Sequence, residues 1–143
     1  MLVNKLTVME CELCNGAGGL LLWGDDFCRV VLIDDKDYSG FCRVILNRHI
    51  KEMTDLNATE RARLMHTVFA VETVVRESAA PDKINLACLG NVVPHLHWHV
   101  IPRWRDDRNF PDPIWAAPRR SAAPRPPADA PALTRRLQQL LAS

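Results

Sequence analysis

No stretch of this sequence approaches the ~20 consecutive apolar residues that a membrane-spanning helix needs. The N-terminus, "MLVNKLTVMECELC", has no apolar run of secretory length and no cleavage-like segment. An excess of charge of one sign is also lacking. Lys and Arg number 18 against 17 Asp and Glu, a net +1, so nothing calls for nucleic acid or an anionic membrane as partner. The five cysteines are odd in number and irregularly spread, which does not describe a disulfide framework and leaves thiols or metal ligands. Together these absences give the expectation of a soluble, cytoplasmic protein. There is no internal repeat. The glycines of "NGAGG" are too closely spaced for a dinucleotide loop and lead into the strand-like "LLLW", so the segment reads as a turn.

What remains is ordinary globular material, 48% apolar and 24% charged over 143 residues, enough for one domain with a core. "LLLW" (20–23), "CRVVLID" (28–34), "FCRVILN" (41–47), "KINLACLG" (83–90) and "PHLHWHVIP" (94–102) read as strands. "DKDYSG" between the second and third suits a hairpin loop. Leu64, Val68, Val71 and Val75 recur at helical spacing within 57–78, with Asn57 and Glu60 as a capping pair and Pro81 as a stop. Met65 and Phe69 join the core candidates, and "HIKEMTDL" (49–56) holds a turn of helix. The expected class is α+β: about five antiparallel strands with one main helix. The domain covers residues 1–115. A Pro/Ala-rich connector spans 116–132, and Leu133, Leu137 and Leu140 mark a short C-terminal helix over 133–143.

Histidine is scarce, five in all, yet His95, His97 and His99 fall at alternate positions of "PHLHWHVIP". In a strand these three share one face, with Leu96, Trp98 and Val100 on the other. Three of the five within five positions argue against a chance surface set. One ion held by all three is awkward, because the outer Cα atoms of a straight strand start roughly 13 Å apart. A third reading divides the labour among a nucleophile, a polarising donor and a structural ligand. A neutral imidazole is a good nucleophile, provided its second nitrogen donates elsewhere and fixes the tautomer.

"HLHWHVI" resembles the histidine triad pattern, His-φ-His-φ-His-φ-φ. The likeness extends through "GNVVPHLHWHVIPR", "VILNRHIKEMTDL" and "FPDPIW", covering roughly residues 10–115. It is similar to the bacterial branch described as diadenosine-tetraphosphate-hydrolase-like. The resemblance implies a HIT-like fold, a homodimer that joins two sheets, and hydrolysis or transfer at the α-phosphate of a small-molecule nucleotide. His97 would be the nucleophile and His99 a donor to the phosphate or leaving group. Gly90 would allow close backbone approach, Asn91 would donate to a phosphate oxygen, and Asp34 would bind the ribose hydroxyls. Two departures stand out. Phe41 follows Gly40 where many members have histidine, and Val92 stands where many have a hydroxyl residue that protonates the leaving group.

Cys11 and Cys14 form a lone Cys-x-x-Cys without the βαβ context of a redox pair. With His49 and His95 they would complete a Cys₂His₂ structural zinc site, as in zinc-containing relatives such as galactose-1-phosphate uridylyltransferases. The alternative is free thiols, with His49 capping its helix. Cys28, Cys42 and Cys88 read as small hydrophobes within strands. Trp104 and Trp115 suit either a base-pocket wall or a dimer interface, and Arg103 and Arg105 read as solvated unless they attract a polyphosphate. Rival functions are a nucleotide-binding or sensing module with little turnover, and a metal-dependent hydrolase.

Overall fold

A computed structural model describes residues 10–142. The N-terminal residues 1–9, on which part of the reading of the leader region rests, lie outside the described residues, as does Ser143. A single turn of helix, α1 (Glu12–Asn15), precedes the strands β1 (Leu20–Gly24), β2 (Cys28–Leu32) and β3 (Cys42–Leu46). A short 3-10 turn (Met53–Asp55) leads to the main helix α2 (Ala58–Ala79). Then come β4 (Lys83–Ala87), β5 (His97–Arg103) and the terminal helix α3 (Ala130–Leu141). The strands form one antiparallel sheet in the order β1-β2-β3-β5-β4, which is the α+β arrangement expected.

The pleat sorts the core. Cys28, Val30, Cys42, Val44, Leu46, Leu96 and Val100 pack against Leu64, Val68, Val71, Val74 and Val75 of α2. The helix starts where the sequence indicates. Asn57 Oδ1 accepts from the Glu60 amide at 2.9 Å and Glu60 Oε1 accepts from the Asn57 amide at 3.0 Å, a reciprocal cap. It ends at Ala80, which takes the left-handed conformation with φ 45° and returns its amide to the Arg76 carbonyl. Phe69 differs from expectation: it is 54% exposed, because the buried stripe runs through positions 64, 67, 68, 71, 74 and 75 and leaves 69 on the far side.

Helix α3 begins three residues earlier than the leucine spacing indicates. Asp129 accepts from the Ala132 amide at 3.1 Å, and Pro131 lies in the first turn, where its missing N–H costs nothing. Leu133 and Leu137 are buried in the same core as α2, and Thr134 Oγ1 donates to the Leu22 carbonyl of β1 at 3.0 Å. The preceding connector is extended and is pinned by Arg125. Its guanidinium lies 3.7 Å over the Trp104 ring and pairs with Asp106 at 2.6 Å.

Strand β5 starts at His97 rather than Pro94. Residues 88–96 form a loop that ends in an extended lead-in, where the Leu96 amide donates to the Ile50 carbonyl at 2.7 Å. At the other end of β5, Arg103 is not solvated. It and Asp107 are 2% and 1% exposed and paired at 2.8 Å. The alternation that places His97 and His99 on one face carries Arg103 to that face as well, under the loop from Trp104 to Asp112.

Candidate functional site

On the sheet face opposite α2, the β3–β5 register sets Ile45 beside His97 and Arg43 beside His99. The two imidazoles are neighbours, with ring centroids 4.9 Å apart and planes at 80°. His97 is 8% exposed. Its Nδ1–H donates to the His95 carbonyl at 2.5 Å, which leaves the lone pair on Nε2. Nε2 has no protein partner among the described residues, and none of their buried side-chain nitrogens or oxygens is unpaired, so this atom reaches solvent. Burial lowers the His97 pKa, the His95 carbonyl offsets part of that, and Arg43 lowers it further. The ring is therefore neutral near pH 7, as a nucleophile requires.

His99 is enclosed more tightly. Phe41 stacks on it with centroids 5.7 Å apart, and Trp115 meets it edge-on at 5.1 Å. Trp115, for which the sequence left two roles open, thus walls the triad face. Burial, then His97 and Arg43, push the His99 pKa down to about 3.

His95 turns away from this pair. It is fully buried, and its Nε2–H donates to the Leu46 carbonyl at 2.6 Å, so Nδ1 is the atom with a free lone pair. That nitrogen lies 3.4 Å from the sulfur of Cys11 and 3.4 Å from that of Cys14, while His49 Nδ1 lies 3.3 Å from Cys14. All four ligand atoms fall within 4.8 Å of one another. Tetrahedral zinc bonds of about 2.0–2.3 Å place ligand atoms about 3.5 Å apart, so the set has the composition and spacing of a four-coordinate site. The Leu46 carbonyl supplies the outer hydrogen bond that orients a metal-ligating imidazole. Burial and the Cys11 thiol push the Cys14 thiol up, with Arg29 pulling the other way. Arg29 also holds the segment by donating to the carbonyls of Leu13 at 2.6 Å, Gly16 at 3.1 Å and Ala17 at 2.9 Å.

Of the remaining sequence candidates, Gly90 adopts φ +74° and lines a cavity of about 280 Å³ together with Cys88, His95 and His97. Asn91 and Val92 are exposed on the same loop, Val92 at 93%. Asp34 is not brought into this constellation. β2 ends two residues earlier, at Leu32, and Asp34 is exposed on a separate cavity with Leu20, Leu32, Lys36, Arg125 and Pro127. The sequence reading missed Arg43. Its signal was present: it is the charged residue between Cys42 and Val44 in an otherwise apolar strand, at the parity of the face away from α2.

A HIT domain family model matches residues 20–106. The chain is 32% identical over 77 residues to an AP-4-A phosphorylase of Mycobacterium tuberculosis, a stretch that is 50% of this chain and 40% of that relative; the match thus spans well under half of the relative's length. Among solved structures, a histidine triad protein from Bradyrhizobium japonicum superposes with TM-score 0.66 at 28% identity, covering 88% of this chain and 90% of that one. One from Marinobacter aquaeolei gives TM-score 0.68 at 28% identity over 88% and 90%. A zinc-bound histidine triad family protein from Mycobacterium smegmatis shares the fold, with TM-score 0.62 at 23% identity over 94% and 95%. With the family model spanning more than half its length and the alternating histidines on one face of its sheet, the chain belongs to the HIT domain family.

Proposed function

We propose that this protein cleaves small-molecule nucleotides at the 5′ α-phosphate through a covalent nucleotidyl-His97 intermediate. The observation that carries this reading is the Nδ1–H of His97 donating to the His95 carbonyl, which frees Nε2 on the accessible side of the ring. Nε2 attacks the α-phosphorus. An N–P bond forms, the P–O bond to the leaving group breaks, and the leaving group departs with the electron pair. Water then attacks the phosphorus, the N–P bond breaks with its electron pair returning to Nε2, one water proton passes to solvent, and a nucleoside monophosphate is released with neutral His97 restored. His99, the neighbouring ring, binds the phosphoryl oxygens or the leaving group. Gly90, in its left-handed turn, lets the backbone come close to the phosphate, and Asn91 on the same loop donates to it. Asp34, exposed on the loop that follows β2, would bind the ribose hydroxyls.

The leaving groups that fit are polyphosphates, as in diadenosine tetraphosphate. Val92 offers no hydroxyl to protonate a poorer leaving group. The AP-4-A phosphorylase relative supports a nucleotide-processing role without fixing hydrolysis over phosphorolysis. Cys11, Cys14, His49 and His95 would hold a zinc ion. The ion would supply a rigid tie between the N-terminal segment and the residue preceding the catalytic strand. The exposed edge of β4 is where a second copy would extend the sheet into a homodimer.

The experiment is rapid quench with diadenosine tetraphosphate followed by mass spectrometry. An AMP adduct on His97 is expected, and its absence during observed turnover would sink the mechanism. Val92 favours one second reading, a nucleotide-binding module with little turnover. Tight AMP binding by wild type with no product from a substrate panel selects that reading.

A further inference from the structure

Arg43 belongs to none of the motifs above, yet the β3–β5 register places it directly opposite His99. Its Nε–H donates to His99 Nδ1 at 3.3 Å. Its Cζ lies 5.5 Å from the centroid of Phe41, the ring stacked on His99. The side chain is half-buried, and among the described residues no carboxylate comes within ion-pair distance of it. Burial lowers its pKa, and the Glu12 carboxylate at the rim opposes that from beyond contact. A desolvated cation without a partner is costly, so a position that needed only packing would be better filled by an apolar side chain.

We propose that Arg43 is a positioning residue for His99: it occupies the Nδ1 lone pair and so fixes the tautomer that carries its proton on Nε2. A guanidinium only donates, so the nitrogen it meets must accept. A neutral imidazole that accepts at Nδ1 bears hydrogen at Nε2. That Nε2 has no protein partner among the described residues, and it reaches solvent. His99 therefore presents an N–H beside His97. This replaces, from a different strand position, the polar groups absent at Phe41 and Val92.

The use of that N–H rests on the proposed attack by His97; the tautomer itself does not. A fixed donor backed by a cation suits a leaving group that departs as an anion. In that step the N–P bond forms, the P–O bond breaks, the polyphosphate carries off the electron pair, and no proton moves. An amine leaving group must receive a proton, and an arginine cannot supply one.

The test has two arms. In ¹⁵N-histidine-labelled protein at pH 7, with the resonance assigned against a His99→Phe variant, His99 is expected as the Nε2–H tautomer, and Arg43→Met is expected to produce a mixture. Wild-type His99 bearing its proton on Nδ1, or an unchanged tautomer in Arg43→Met, overturns the proposal. This arm needs no substrate, so it decides the inference even if diadenosine tetraphosphate is not cleaved. In the second arm, Arg43→Met should lower kcat on diadenosine tetraphosphate about 100-fold, the lower range of what losing one placed hydrogen-bond donor to developing charge costs. On adenosine 5′-phosphoramidate it should lower kcat by about tenfold or less, and Arg43→Lys should recover part of the loss. Equal losses on both substrates, or no loss on either, count against Arg43 as the residue that orients His99.

Discussion

The carbonyl oxygen of His95 accepts from Nδ1 of His97 at 2.5 Å, while the ring of His95 points the opposite way, to within 3.4 Å of the sulfurs of Cys11 and Cys14. One residue thus joins the Cys11, Cys14 and His49 cluster through its side chain and sets the tautomer of its neighbour through its backbone. Because the backbone carbonyl survives a side-chain change, His95→Ala should lose metal yet keep adduct formation measurable. By contrast, His97→Ala should remove the adduct and reduce turnover by about 10⁴-fold or more, as read by quenched-flow mass spectrometry.

Metal content separates a structural ion from a catalytic one. Cys14→Ser should bind less than one equivalent of zinc by elemental analysis. Loss of about 3 kcal/mol of linked binding energy would lower Tm by roughly 10 °C. Arg29 continues to hold the backbone of the segment, so turnover at 25 °C should fall much less. A complete and immediate loss of turnover on chelation, with Tm unchanged, would instead favour the metal-dependent hydrolase.

The ion pair of Arg103 and Asp107 is buried on both sides and shares its hydrogen bonds with Asn85, the Asp112 carbonyl and the Trp104 amide. Asp107→Ala leaves the guanidinium buried without a counter-charge. It should cost about 3–5 kcal/mol in urea unfolding, the usual penalty for breaking one side of such a pair. A change below 1 kcal/mol would show that the loop rearranges to hydrate Arg103.

Acid should weaken the fold in two stages. His99 is held near 3 in the folded protein against an ordinary 6.5, so between those values the unfolded chain binds the extra proton. Its contribution is complete above about pH 6.5 and declines as pH falls toward 3. Burial opposes ionisation of Asp107, but Arg103 and the Trp104, Asn109 and Phe110 amides outweigh it and bring the pKa down to about 2 from 3.8. That contribution is complete above about pH 4 and is lost as pH falls through 2. Urea midpoints measured from pH 7.5 to 3.5 should fall for wild type and fall less for His99→Phe.

Much of this architecture was legible because local rules and tertiary packing agree. The apolar runs around Val30 and Val44, the Asn57–Glu60 cap and the Leu64–Val75 stripe each indicate one structure, and that structure forms. The clustering of Cys11, Cys14, His49 and His95 was legible because a Cys-x-x-Cys read as a metal site needs two more donors and histidine is scarce. What escaped depends on which strand lies beside which. Arg43 gains meaning only once β3 is registered against β5, and Arg103 only once the following loop folds over it. The start of α3 escaped because Ala and Pro dominate its first turn, and the Asp129 cap is a weak signal inside a proline-rich run.

Ala80 closes α2 in a conformation that favours glycine. Ala80→Gly should relieve about 1 kcal/mol of steric cost at the C-terminal end of α2, outside the catalytic strand. A calorimetric gain would supply a sturdier host into which damaging exchanges at Arg43, His97 or Asp107 can be placed, so that lost chemistry is read free of lost folding.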